Sequence, residues 1–453
     1  MEDSMRSGTS FFIAVIIASL FIIPSSSHAV QRTVTSLADS GPGSLRAVIA
    51  SAGAGDEIVF AVPLPGAISL LSEIQINVDL TITGPGAESL TLDGGGATRI
   101  FNATGITSLT ISGLRFFRGF SDQGGAITGG VQNLVINDCI FESNEVSCAA
   151  QDCQSFGGAV FNGGGGVVYQ INNTAFLSNR AYCTLAGCSA FGGAVFNGGG
   201  GFTASFTGCT FESNEAECID SNCDAQGGAY FNGGGGSAAH FLNSTFYNNT
   251  AACEEDGCVA FGGSISDGGA SNLTTLDFCT LSSDTSACSG SGCTAQGNSV
   301  WTSNGSLVVN SNIFFSTSPD GSCDGSNNIT SLGYNFDSEN NCLGAVGPGD
   351  RPFTDPRLFP GVPRDNGGPT PTIALLPASP AIDAGNPACP PPDTDQRGFV
   401  RPQFVSCDSG AFEFEGLAQV SNIPTLSEWG MIAMFLILGL CGFLALTRLA
   451  SNA

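Results

Sequence analysis

Phe156-Gly157-Gly158-Ala159-Val160-Phe161-Asn162, followed by Gly163 to Gly166, recurs almost letter for letter from Phe191, 35 residues further on. It returns as Gln226-Gly227-Gly228-Ala229-Tyr230-Phe231-Asn232, then in degenerate form at Phe261-Gly262-Gly263 and Gln296-Gly297-Asn298. A constant period means that every unit makes the same structure and stacks on its neighbour. After each glycine run comes a strand-like segment, such as Val167 to Ile171, and then a Phe-x-x-Asn element. That element stands at Phe141–Asn144, Phe176–Asn179, Phe211–Asn214 and Phe246–Asn249.

Read down its columns, the repeat predicts coils of parallel strands. Phe141, Phe176, Phe211, Phe246 and Leu281 form one column. The residues two positions earlier share their face. These are Cys139, Thr174, Cys209, Ser244 and Cys279, all small enough to sit beside a large side chain in a narrow coil. The column before that one holds Asp138, Asn173, Gly208, Asn243 and Phe278. Four of those five tolerate the left-handed backbone of a sharp bend. The column Asn144, Asn179, Asn214 and Asn249 reads as an asparagine ladder, its amides stacked between coils about 4.8 Å apart. Helical periodicity is absent. The fold class expected is all-β: a right-handed parallel β-helix, plus one C-terminal transmembrane helix.

Composition narrows the function. With 63 Gly and 33 Phe but only 11% charged residues, the chain suits turns and stacked apolar columns. Net charge is −26; all 13 basic residues are Arg, and none lies between Arg180 and Arg351. Nucleic acid and anionic membrane are therefore poor partners for the repeat face. Surface acidity serves solubility. Binding of a divalent cation such as Ca2+ is the sharper alternative, and no other cofactor is expected.

Residues 1–29 read as a secretory signal: Arg6, an apolar run from Phe11 to Ile23, then Ser27-His28-Ala29 as a small-residue cleavage site. Secretion permits disulfides, and the chain carries 18 cysteines. Each regular unit holds an inserted loop of the form Cys-x4-Cys: Cys148/Cys153, Cys183/Cys188, Cys218/Cys223, Cys253/Cys258 and Cys288/Cys293. A bridge could close within a loop, or between equivalent cysteines about 4.8 Å apart on adjacent coils. Parity favours the local bridge, since pairing between coils would strand one of five cysteines in each column. A zinc site is weakly indicated, because the spacing is unusual and these loops hold no His. The loops are expected to project from the coil and to be dispensable. Cys139, Cys209 and Cys279 recur every second unit, too far apart to bridge, and read as buried free thiols.

Several stretches resemble known families. Gly41-Pro42-Gly43-Ser44-Leu45-Arg46-Ala47-Val48-Ile49 resembles the opening cap of many secreted bacterial β-helix proteins. Gly124-Gly125-Ala126-Ile127 with the Phe-x-x-Asn elements, over residues 124–302, resembles the repeat of polymorphic outer-membrane proteins, which are surface adhesins and autotransporters. Asp365-Asn366-Gly367-Gly368-Pro369, Ser379-Pro380-Ala381-Ile382-Asp383-Ala384-Gly385, Asp395-Gln396-Arg397-Gly398 and Cys407-Asp408-Ser409-Gly410 resemble the choice-of-anchor Q module. Cys323 with Cys342 and Cys389 with Cys407 are the natural pairs there. Asp383, Asp395, Arg397 and Asp408 invite a catalytic reading, but the expected role is structural: turn caps and an ion pair closing the last coil. Finally, Ile423-Pro424-Thr425-Leu426-Ser427-Glu428-Trp429-Gly430 resembles the IPTL-CTERM sorting signal. It precedes an apolar segment over 431–447 and Arg448, which would lie on the cytoplasmic side.

The expected organisation is a signal peptide over 1–29 and a pectin-lyase-like solenoid over 30–310. A choice-of-anchor Q-like module over 311–415 completes that solenoid. A linker and sorting motif over 416–430, a membrane helix over 431–447 and a cytoplasmic tail over 448–453 follow. For function, a lyase on this fold needs a basic residue as Brønsted base, and the regular coils supply none after Arg180. A hydrolase needs paired carboxylates, yet Asp138, Asp277 and Asp284 fall in repeat columns. His240 is expected to pack between Ala239 and Phe241. No catalytic or metal-binding residue is assigned. The expectation is a non-enzymatic protein, exported through the inner membrane and displayed at the cell surface, acting as adhesin or matrix component. Its partners would be the membrane, a C-terminal sorting enzyme, and an extracellular polysaccharide or a host or neighbouring cell surface. The alternative is a polysaccharide-binding or polysaccharide-degrading β-helix, to be recognised by three carboxylates on one exposed sheet face.

Overall fold

In the computed structural model the described residues are 29–316, 321–324 and 328–416. The expected signal peptide, the sorting motif and the apolar segment over 431–447 lie outside them, Ala29 apart. Among the described residues no helix is long and apolar enough to cross a membrane.

Three-to-five-residue strands separated by sharp bends cannot pair with themselves, so each pairs with its equivalent one coil on. Every such pair is parallel, and across the regular coils the register is unbroken, as in Phe141↔Phe176 and Ile136↔Ile171. Three sheets of 11, 11 and 9 strands form the walls of the solenoid. One coil shows the path: Val168–Asn172, a bend, Ala175–Leu177, an arch, then Val195–Asn197. The bends obey the residue types read from the sequence. Asp138, Asn173, Gly208 and Asn243 all have positive φ, and so does Phe278, which has no such backbone preference.

Inside, the phenylalanine column is a continuous stack that begins one coil earlier than expected, at Phe116. Ring centroids lie 4.6 Å apart from Phe116 to Phe141 and 5.1 Å apart from Phe141 to Phe176, with nearly parallel planes. The asparagine ladder runs beside it: the Asn144 amide donates to Asn179 Oδ1, Asn179 to Asn214, and Asn214 to Asn249, each at 2.9 Å. Each amide also donates to a backbone carbonyl, as Asn179 does to Phe141, so these fully buried groups are satisfied. Glycine is demanded at Gly193, where a Cβ would collide with the Gly228 carbonyl and the Glu215 backbone.

Three expectations need correction. First, the cysteine-bearing insertions are not projecting loops. Arg180–Cys183 and Ser189–Phe191 are strands, and with their equivalents they build two further parallel sheets, of six and five strands. Each insertion is an arch whose two arms stack along the axis, enclosing a second core of Val146, alanines such as Ala181 and Ala216, and cysteines. Short strands pair wherever equal segments repeat at equal height, and the insertions share the period of the coils. Second, the described residues include one helix, Leu45–Ala50, capped by the Ser44 hydroxyl, which accepts from the Ala47 amide. It buries Leu45 and Ile49 at the start of the solenoid.

Third, only the start of the C-terminal module continues the coils, which end with the short strand Arg351–Pro352. Residues 353–416 form a strap without strands. The strap runs back along the solenoid flank. Thr394 O accepts from the Asn243 side chain at 2.8 Å, and Gln396 bonds Thr210, Thr245 and Cys209 O. A small core of Ile313, Phe336, Leu375, Ala381 and Phe412 seals it to the last coils.

Candidate functional site

The densest charged constellation on the regular coils centres on Arg180. Parallel register puts Glu145, Arg180 and Glu215 side by side on successive coils, and Glu217 lies two residues further along the same face. Arg180 Nε meets Glu215 at 3.1 Å, Nη1 meets Glu145 at 4.0 Å, and Nη2 pairs with Glu217. The guanidinium lies over the Tyr182 ring, 3.7 Å from its centroid. Here are three carboxylates on one partly exposed sheet face, the arrangement set above as the mark of carbohydrate chemistry. A cation occupies its centre, however. A guanidinium does not deprotonate in proteins and cannot act as a base there, and its charge opposes a second cation such as Ca2+ at the same carboxylates.

The other candidates are scattered. Asp138 is exposed and accepts from the Asn173 amide at 3.2 Å. Asp284 continues the asparagine ladder, accepting from the Asn249 amide at 3.1 Å, and burial pushes its carboxyl up to about 7. His240 departs from expectation. Its position faces outward between the buried Ala239 and Phe241, and its Nε2 meets Asp277 of the next coil at 2.8 Å. Ser205 holds the register position beside His240 on the preceding coil. A Ser, His and Asp thus share one face, on the wall of a flat sheet.

The strap borders several clefts, two of them roomy. One, of about 340 Å³, is lined by Tyr247, Phe315 and Phe359 together with Asp355 and Arg357. The other, of about 300 Å³, is more polar and includes Asn173, Asn243, Gln396 and Arg397. Beneath the strap the module's charged residues do structural work. Asp383 accepts the amides of Val405 and Ser406, and Asp408 those of Asp383 and Phe414. Arg397 pairs with Asp395 at 2.8 Å and lies over the Phe412 ring. The fully buried Arg401 pairs with Glu413 at 2.8 Å and stacks on Phe278. No feature of the sequence reading singled out Arg401, because Asn243 and Phe278, which it meets besides the nearby Glu413, lie on coils far off in the sequence.

The cysteines divide by position. Cys148–Cys153 and Cys288–Cys293 are bonded within the first and last arches, and Cys323–Cys342 and Cys389–Cys407 within the C-terminal module. The three middle arches depart from the expected local bridges: Cys183, Cys188, Cys218, Cys223, Cys253 and Cys258 are free thiols, all buried. The physical reason is competition. A middle cysteine has an equivalent on both neighbouring coils besides its own loop partner, and Cys188 Sγ lies 3.7 Å from Cys223 Sγ. Hydrogen bonding from Cys218, and secondarily from Cys183 and Cys223, draws the Cys188 thiol down to about 6. Cys218 is pushed far up by the same neighbours, first Cys183 and then Cys188. Cys139, Cys209 and Cys279 are buried free thiols inside the solenoid; burial pushes the first two up to about 12.

Residues 423–448 match the family model of the IPTL-CTERM motif. The chain is thus a stacked parallel β-helix carrying a C-terminal sorting signal, exported and attached at the cell surface. A crystal structure of pectate lyase Pel9A is similar to 85% of this chain and 97% of its own, with 14% identity and a TM-score of 0.36. No curated protein matches the chain.

Proposed function

We propose that the protein is a non-enzymatic scaffold displayed at the cell surface, where it acts as an adhesin or a structural component of the extracellular matrix. The observation that carries this reading is the state of its charged side chains. Arg180 is clamped by three carboxylates, Asp284 is a rung of a buried ladder, and Arg397 and Arg401 close the strap. Groups of the type that perform polysaccharide cleavage are consumed in holding coils together, and fold alone confers no activity. The acidic repeat faces suit a hydrated surface layer. The resemblance of residues 124–302 to polymorphic outer-membrane protein repeats points the same way.

The test compares cells with and without the protein for attachment and matrix cohesion, alongside incubation of the purified protein with polyuronates and neutral glycans. Loss of attachment without any glycan cleavage supports the scaffold. Release of new sugar ends that disappears in Arg180→Ala or His240→Ala would instead establish an enzyme. A second reading, binding of polysaccharide without cleavage, draws on the cleft of Tyr247, Phe315 and Phe359, which offers aromatic faces beside a carboxylate and a guanidinium. Glycan retention lost in Phe359→Ala would favour it.

A further inference from the structure

We propose that the arch lobe holds one thiophilic d10 metal ion, of the Zn2+, Cd2+ or Cu+ class, bound by Cys183, Cys188 and Cys218. Sequence alone disfavoured a metal because the two sulfurs of each Cys-x4-Cys loop stand at an unusual spacing and no His lies in these loops to complete a ligand set. Stacking removes that objection by bringing sulfurs from two arches together. The Sγ atoms of these three residues all lie within 4.8 Å of one another, and all three side chains are buried. Thiolates bound at about 2.3 Å around one tetrahedral ion stand roughly 3.8 Å apart, so a small contraction suffices. Cys223 Sγ lies 3.7 Å from Cys188 Sγ but outside this group of three, so three sulfurs define the site.

Two further observations favour an ion over bridges at this place. The disulfides of the column stand at its two ends, Cys148–Cys153 and Cys288–Cys293, while the interior thiols remain free. The surroundings are Ala181, Ala190, Ala216 and Ala225, small side chains that leave the sulfurs as the polar atoms of this core. Binding replaces the thiol protons, which leave to solvent, and involves no oxidation.

The experiment uses the full-length protein purified from its exported form without reductant or chelator. Bound metal is measured by elemental analysis, and the protein, reduced and stripped, is titrated with Cd2+ while the thiolate-to-metal absorption band is followed. The proposal expects one tightly held ion per chain, lost in Cys183→Ser and in Cys218→Ser and kept in Cys209→Ser, whose thiol lies inside the solenoid. Should the serine variants fail to fold, peptide mapping of the unaltered protein under non-reducing conditions decides. Recovery of Cys183, Cys188 and Cys218 as alkylated free thiols supports the site. Recovery of Cys183 linked to Cys188 and Cys218 linked to Cys223 overturns it, as does Cd2+ uptake that the serine substitutions leave unchanged.

Discussion

Phe211 lies between Phe176 and Phe246 with ring centroids 4.9 and 4.8 Å away, and it is fully buried. Its replacement by alanine removes two stacking faces and leaves a cavity that flanking coils cannot fill without breaking register. Phe211→Ala is expected to cost roughly 3–5 kcal/mol, read as a lower denaturation midpoint. Asp284 makes a sharper prediction because it stands where the ladder elsewhere has asparagine. Its Oδ1 accepts from both the backbone and the side-chain amide of Asn249. Burial raises its carboxyl from 3.8 to about 7. Between those values the folded protein keeps a proton that the unfolded chain has released, so stability falls as pH rises through the window and levels off above it. Asp284→Asn removes this dependence. Its stabilisation is expected to be small near pH 4 and to reach a few kcal/mol near pH 7.5, by thermal unfolding at both. A flat difference would show that the side chain is not titrating.

Arches and strap are the elements that the structure redefines. Each arch contributes one strand to each of two sheets and packs alanine and cysteine side chains against both neighbours. Replacing residues 181–190 with a short glycine linker should therefore lower the melting temperature and expose the arch core to a hydrophobic dye. An unchanged melting temperature would return the insertions to the status of passive loops. The strap depends on Arg401, whose guanidinium donates to the Asp408 and Gly410 carbonyls and pairs with Glu413. It also covers Phe278, the bend residue with φ of 52° and no intrinsic preference for that conformation. Arg401→Met strands a buried carboxylate and should cost roughly 3–5 kcal/mol. Limited proteolysis should then cleave residues 353–416 before the coils.

For the whole molecule, display and folding are expected to be separable. The described fold closes with Arg397 paired to Glu415 at 2.7 Å, ahead of the matched sorting motif at 423–448. A chain ending at Glu415 is expected to be exported, soluble and as thermally stable as the parent, measured by fractionation and melting. Substituting Pro424 and Thr425 in the full chain should keep it from reaching its final place at the surface while export continues. Normal surface attachment of that variant would mean that the octapeptide is not the recognised element.

Periodicity determined more here than any single motif. Because equivalent residues recur at a fixed spacing, their stacking height follows without knowledge of the path between them. The Phe column, the Asn ladder and the positive-φ bends were legible for that reason. Cys139, Cys209 and Cys279 could be placed in the interior on the same grounds. What the period could not state is the angle between successive segments. For want of it, the insertions were expected to project where they fold back as arches, and local bridges were expected where several near-equidistant sulfurs face one another. Contacts between distant segments carry no periodic signal at all. Gln396 on Thr210 and Arg401 on Phe278 depend on where an irregular strap comes to lie, and that was decided by side-chain packing and buried charge pairing in three dimensions.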